Sequence, residues 1–146
     1  QKNNYKIFIV TNQPSYAKGK TTLKNLKLIQ KKINNYFKEN SVNISKVYCS
    51  YKHKDSIYKK YKTPCCYRKP NTGSLVEAKN KYNLDLSRCW IIGDRETDIE
   101  FGCKKNLKTI RIINKKESSK IIKTNANFKA KNTEEAVKII VDFCVK

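Results

Sequence analysis

Four apolar residues in unbroken succession, Cys89-Trp90-Ile91-Ile92, stop at Gly93-Asp94 and give way to Arg95-Glu96-Thr97-Asp98. An apolar run without polar alternation is expected of a strand covered on both faces, as in a parallel sheet. Gly93 permits a tight turn. From Glu96 to Lys105 the spacing becomes helical, with Ile99 and Cys103 on one face, and Asn106 suits a left-handed stop. A strand passing into a helix through Gly-Asp puts Asp94 at a carboxyl strand end, where open α/β sheets bind their ligands. Alone, such an Asp serves equally well as a turn residue or helix cap, so its neighbours decide what it does.

Those neighbours extend the same pattern. Tyr5-Lys6-Ile7-Phe8-Ile9-Val10 reads as a strand ending in Thr11-Asn12-Gln13. An amphipathic helix follows from about Thr22 to Lys38, with Leu26, Ile29, Ile33, Tyr36 and Phe37 as its core stripe. Lys46-Val47-Tyr48 reads as a short strand, and Cys49 to Cys66 as a basic, aromatic-studded loop that something functional should order. Gly73 to Tyr82 is a second helix, with Leu75, Ala78, Lys79 and Tyr82 on one side. Beyond the Cys89 strand and its helix, Thr109 to Ile113 and Ala126-Asn127-Phe128 read as strands. Asn132, with Glu135 three residues on, caps a closing helix whose Ala136, Val137, Ile140 and Phe143 face inward. This order predicts an α/β fold, a Rossmann-like, doubly wound parallel sheet with right-handed crossovers.

At 146 residues the chain is expected to be one domain spanning residues 1–146. No apolar run approaches a membrane span and no segment resembles a cleaved signal, so a cytoplasmic monomer without membrane contact is expected. The net charge of +21 would ordinarily suggest nucleic acid. The lysines, however, occur in every predicted element rather than in one patch, which favours a solvated surface over nucleic-acid binding. The six cysteines are unevenly spread, with Cys89 and Cys103 on a predicted buried strand and helix face, and are read as thiols rather than a disulfide framework.

A strand-end Thr11, a lysine in Arg68-Lys69-Pro70 and Gly93-Asp94-x-x-x-Asp98, in that order, resemble motifs II, III and IV of the haloacid dehalogenase superfamily of phosphohydrolases. Thr11-Asn12-Gln13 with Ala17-Lys18-Gly19, and Cys65-Cys66-Tyr67-Arg68-Lys69-Pro70, are similar to the corresponding loops of its D,D-heptose 1,7-bisphosphate and histidinol-phosphate phosphatase group. The resemblance implies catalytic roles for Thr11, Lys69 and Asp98. It implies substrate contacts from Thr11, Asn12, Gln13, Lys18, Arg68 and Lys69, and Mg²⁺ held by Asp94. These residue types suit phosphoryl transfer, which demands positioning and neutralisation of charge on the phosphate oxygens. Thr11 can offer a hydroxyl, Lys69 a point charge, and Asp94 the hard oxygen that Mg²⁺ prefers. Asp98 is placed to orient Lys69 or metal-bound water, or to stabilise the first helical turn. Arg68 resembles the arginine that grips a second, non-reacting phosphate.

The implied substrate is a small phosphorylated metabolite, foremost a sugar bisphosphate. Histidinol phosphate and a polynucleotide 3'-phosphate are the alternatives, and a non-catalytic phosphate- or partner-binding domain is a reading of another class. The family's first motif, Asp-x-Asp on an earlier strand, has no counterpart among Asp55, Asp85, Asp94, Asp98 and Asp142. The first catalytic strand is therefore expected to be absent and the chain to be an N-terminally incomplete fragment. The loop holding Cys49, His53, Cys65 and Cys66 resembles the group's zinc loop, with His53 and Cys66 displaced from the usual spacing. A structural Zn²⁺ on these four residues is one expectation, and reduced thiols in a loop held by other contacts the other.

Overall fold

The computed structural model describes residues 4–113 and 123–144. It divides into two compact units, Gln1–Ser74 and Leu75–Lys146. All its strand pairs are parallel, as the predicted α/β class requires.

In the first unit, β1 (Ile7–Asn12) pairs with β2 (Ile44–Ser50) across the helix α1 (Leu23–Glu39). Thr22 caps α1, its hydroxyl accepting from the Asn25 N–H at 3.1 Å. The register sets Thr11 opposite Cys49 and Asn12 opposite Ser50, so the carboxyl ends of the two strands finish side by side. Both strands run further than their apolar residues indicated: β1 includes Thr11 and Asn12, and β2 includes Cys49 and Ser50. The predicted core stripe of α1 is corrected. Only Leu26 is buried, while Ile29 is 51% and Tyr36 63% exposed. Periodicity identifies an apolar face, but burial needs a layer to cover it, and a two-stranded sheet is narrower than a helix of five turns is long.

The helix α2 (Gly73–Tyr82) starts at the boundary between the units and buries Leu75 and Ala78, whereas Lys79 is exposed. In the second unit β3 (Trp90–Gly93), β4 (Lys108–Ile112) and β5 (Phe128–Ala130) form a sheet in that order, joined through α3 (Glu96–Cys103) and closed by α4 (Thr133–Cys144). One face carries a core of Ile110, Ala130 and Ala136, with Trp90, Ile92, Phe128 and Ile140 packed around it. Phe143 lies edge-on to Trp90 at 5.3 Å and, though 46% exposed, belongs to this aromatic group. The other face receives α3, whose Ile99 and Phe101 are fully buried. Gly102 lets that helix approach closely, since a Cβ there would meet Thr109 Cγ2 at 2.7 Å and also strike Ile91.

Asn106 adopts the expected left-handed conformation at φ 57°. Asn132 caps α4 as predicted, accepting from the Glu135 N–H at 2.8 Å while the Glu135 carboxylate accepts from the Lys131 N–H at 2.8 Å. Several details differ from expectation. Cys103 and Val137 are exposed, β3 begins at Trp90 rather than Cys89 and is half-buried along its length because a three-stranded sheet covers it incompletely, and β5 begins two residues later than predicted. The shift follows from Asn127, whose side-chain oxygen accepts from the N–H and hydroxyl of Thr109 and so occupies the place of a ladder bond. All six cysteines are free thiols.

Candidate functional site

At the end of β1 the side chains hold one another. Gln13 donates its backbone N–H to the Ser50 carbonyl at 2.8 Å and its amide to Thr11 Oγ1 at 3.2 Å. Since its oxygen accepts from Gln13, the Thr11 hydroxyl keeps its own hydrogen for an acceptor such as a phosphate oxygen. Asn12 grips the backbone of Lys69, donating to its carbonyl at 3.0 Å and accepting from its N–H at 3.1 Å. Lys69 Nζ in turn donates to the carbonyl of Val10 in the same strand. Thr11 and Lys69, separated by 58 positions in the chain, are thereby brought to one strand end.

Arg68 precedes Lys69 and donates through Nη1 to the Lys52 carbonyl at 2.8 Å, which leaves its other guanidinium N–H groups for a ligand. Burial pushes its pKa below the usual arginine value, with the Cys65 thiol acting in the opposite sense. Lys18 lies in a tight turn, its N–H on the Pro14 carbonyl at 2.9 Å, and Gly19 completes the turn at φ 68°. Asn12 and Gln13, expected from the resemblance to touch substrate, here make hydrogen bonds to Lys69 and Thr11 and so hold those two residues in place.

The expected zinc set is not assembled. Among the described residues, no three His, Cys, Asp or Glu side chains come together as a metal site. His53 Nδ1 accepts from the Asp55 N–H at 3.1 Å and faces the Asp55 carboxylate at 3.5 Å. Cys65 accepts a hydrogen bond from the Ser50 hydroxyl at 3.5 Å, whereas its neighbour Cys66 is exposed. Cys49 is half-buried in β2, and burial pushes its thiol pKa up, partly offset by a hydrogen bond with Tyr51. Zinc requires thiolates, and burial disfavours one at Cys49. Adjacent cysteines could serve one ion only if both faced it, and here one is turned inward and the other outward.

In the second unit, Asp94 follows directly on β3 and is exposed. Asp98, only 5% exposed, accepts from the Arg95 N–H at 3.1 Å and closes a capping box on α3. Its carboxylate lies over Gly93. A Cβ on Gly93 would collide with Asp98 Cβ and stand 2.5 Å from Oδ2. Glycine at 93 therefore makes room for the buried carboxylate, which fixes the turn presenting Asp94. An exposed carboxylate on so constrained a turn fits Mg²⁺, which takes one or two carboxylates and completes its shell with water and phosphate oxygens.

Residues 66–135 match a family model described as HAD-hydrolase-like. The chain is 32% identical over 98 residues to the D-glycero-alpha-D-manno-heptose-1,7-bisphosphate 7-phosphatase of Photorhabdus laumondii, covering 67% of this chain and 54% of that protein. It is 26% identical over 133 residues to the enzyme of the same name from Burkholderia mallei, covering 91% of this chain and 70% of that protein. The chain thus spans about half the length of the Photorhabdus relative. Its fold is similar to that of the D,D-heptose 1,7-bisphosphate phosphatase from B. bronchiseptica, crystallised with magnesium and phosphate. That likeness has a TM-score of 0.77 at 14% identity over 97% of this chain and 77% of the other.

Proposed function

Because the chain belongs to the haloacid dehalogenase-like hydrolases, we propose that it forms the substrate- and magnesium-binding part of a cytoplasmic, monomeric phosphohydrolase acting on a sugar bisphosphate of the heptose 1,7-bisphosphate kind. One observation carries this reading: the Asn12 amide fastens Lys69 to the strand end bearing Thr11, setting a hydroxyl and an ammonium where a phosphate can be held. The names of the relatives support the sugar bisphosphate as substrate class.

In this reading Thr11 donates its hydroxyl to a phosphate oxygen, and Lys69 neutralises charge on the same group. Asp94 would hold Mg²⁺, which when bound supplies Lewis-acid polarisation of a phosphate oxygen. Asp98 orients that carboxylate through the Gly93 turn. Arg68 takes the second phosphate, with Lys18 adding charge. No Asp-x-Asp lies in these 146 residues, so the nucleophile of the proposed reaction comes from chain outside them.

The test is phosphate release by the complete gene product with Mg²⁺, on a heptose 1,7-bisphosphate, histidinol phosphate and a 3'-phosphorylated oligonucleotide. The sugar bisphosphate should have the highest kcat/KM, and Asp94→Asn should remove most of it. Preference for the oligonucleotide, or turnover indifferent to Asp94→Asn, would overturn the assignment.

A further inference from the structure

We infer that the segment from Tyr51 to Pro64 is organised by a cluster of three tyrosines rather than by a metal ion, and that this cluster positions Arg68. Tyr16, in the turn after β1, stacks on Tyr58 with ring centroids 4.9 Å apart and planes 15° from parallel. It meets Tyr61 edge-on at 5.2 Å and 87°. Tyr58 and Tyr61 complete the triangle at 6.5 Å and 73°. Offset-stacked and edge-to-face pairs at these separations are the arrangements that the ring quadrupole favours.

The backbone follows the rings. Ile57 donates its N–H to the Ala17 carbonyl at 2.8 Å, fastening the segment to the turn that carries Lys18. The Ser56 hydroxyl donates to the Tyr58 carbonyl at 2.9 Å and accepts from the Tyr58 N–H at 3.1 Å, while only 8% of Ser56 is exposed. Ile57 closes over Gly19, where a Cβ would stand 2.8 Å from Ile57 Cδ1. Polar groups and rings thus fill the role that four zinc ligands would have had. The potential ligands are engaged elsewhere, His53 with Asp55 and Cys65 with Ser50.

The link to Arg68 is a single peptide group. The N–H of His53 donates to the Tyr61 carbonyl at 2.9 Å, and the carbonyl of the same Lys52–His53 peptide accepts from Arg68 Nη1 at 2.8 Å. Because a peptide is planar and stiff, fixing its N–H side fixes where its carbonyl points. Tyr61 is therefore coupled to Arg68 through one rigid plate, and Tyr16 and Tyr58 hold Tyr61. Tyr16, Tyr58 and Tyr61 are positioning residues, acting through Arg68.

Metal analysis of the complete protein purified without chelator should find no stoichiometric zinc, and a zinc chelator should leave its melting temperature unchanged. Tyr58→Ala should lower that temperature, Tyr58→Phe should restore it, and Cys65→Ser should leave it in place. One zinc per chain that is lost in Cys65→Ser, or a chelator-induced fall in melting temperature, would overturn the inference. The wild-type metal content decides even if Tyr58→Ala fails to fold.

The positioning claim rests on the proposed role of Arg68. There Tyr58→Ala should raise KM for a sugar bisphosphate roughly tenfold or more, as expected when one charged hydrogen bond is lost. It should leave kcat and the monophosphate KM near wild type, with rescue by Tyr58→Phe. Equal effects on both substrates would remove the positioning role. Absence of any sugar-phosphate turnover would count against the proposed substrate alone, since the metal and melting measurements do not depend on it.

Discussion

The side chain of Asn12 holds the backbone of Lys69 by both its polar groups, donating to the carbonyl at 3.0 Å and accepting from the N–H at 3.1 Å. A primary amide suits this, since it carries a donor and an acceptor on one short planar group. Asn12→Ala should abandon both backbone groups of Lys69 in a half-buried position. The expected cost is about 1–3 kcal/mol, read as a shift in urea midpoint at constant slope. Asn12→Asp should not rescue it, because a carboxylate oxygen would then face the Lys69 carbonyl.

Gly93 and Asp98 make the corresponding pair in the second unit. A methyl at 93 would overlap the Asp98 side chain, so Gly93→Ala must push out a buried carboxylate that caps α3. Overpacking of this sort costs about 1–3 kcal/mol. Asp98→Gly removes the capping carboxylate, for about 0.5–2 kcal/mol besides the cost of a helical glycine, and also removes the Cβ that a methyl at 93 would strike, so in the double variant Gly93→Ala should cost less than it does alone. Thermal unfolding of the four proteins measures the coupling, and strict additivity would show that the two residues do not contend for the same space.

His53 gives the first unit a pH dependence with a defined sign. Burial lowers its pKa, and the nearby Lys18, Arg68 and Lys54 act in the same direction against the opposing Asp55. A histidine whose folded pKa is depressed binds fewer protons folded than unfolded between the two values, so stability rises with pH in that window. Its contribution is complete above the ordinary histidine value near 6.5 and is lost as pH falls through the lower folded value. Melting temperature should therefore fall as pH drops below about 6.5. His53→Gln, which keeps an acceptor for the Asp55 N–H, should flatten that part of the curve.

The elements that sequence periodicity revealed are those whose partners are close in the chain. The helix after Gly93 and the Asn132 cap depend on residues within a few positions and formed as their patterns required, whereas the strand there starts at Trp90 rather than Cys89 and is half-buried rather than covered on both faces. What could not be read was long-range satisfaction of polar groups. Nothing in the order of residues shows that Asn12 will find Lys69, or that Asn127 will replace a ladder bond to Thr109 and delay β5. The α1 stripe failed for a related reason, because Ile29, Ile33 and Tyr36 announce an apolar face but not the layer that would cover it. The cysteines misled differently. The resemblance of their loop to a zinc loop suggested a metal despite the displaced spacing, whereas the tyrosines at 16, 58 and 61, which the periodicity left without a role, are proposed to hold it.

Arg68 is where recognition of a second phosphate can be tested most directly. One guanidinium N–H is committed to the Lys52 carbonyl, so the group is fixed in orientation before ligand arrives, and the remaining N–H donors can meet two oxygens of one phosphate. A lysine at 68 would keep the charge but lose that fork and the fixed orientation. In the complete enzyme, Arg68→Ala should lower kcat/KM for a sugar bisphosphate by an amount equivalent to about 1.5–3 kcal/mol, the worth of a charged hydrogen bond. The same change should scarcely affect a sugar monophosphate, whose only phosphate would, on the proposed function, be held by Thr11 and Lys69. Arg68→Lys should fall between wild type and alanine, recovering charge without geometry. The comparison also separates metabolite from nucleic acid: a single-stranded polynucleotide spreads its contacts over many lysines, so its affinity would fall with salt by about 0.7 log units per phosphate per tenfold increase and hardly notice one arginine. Equal losses on bisphosphate and monophosphate would instead place Arg68 at the reacting phosphate.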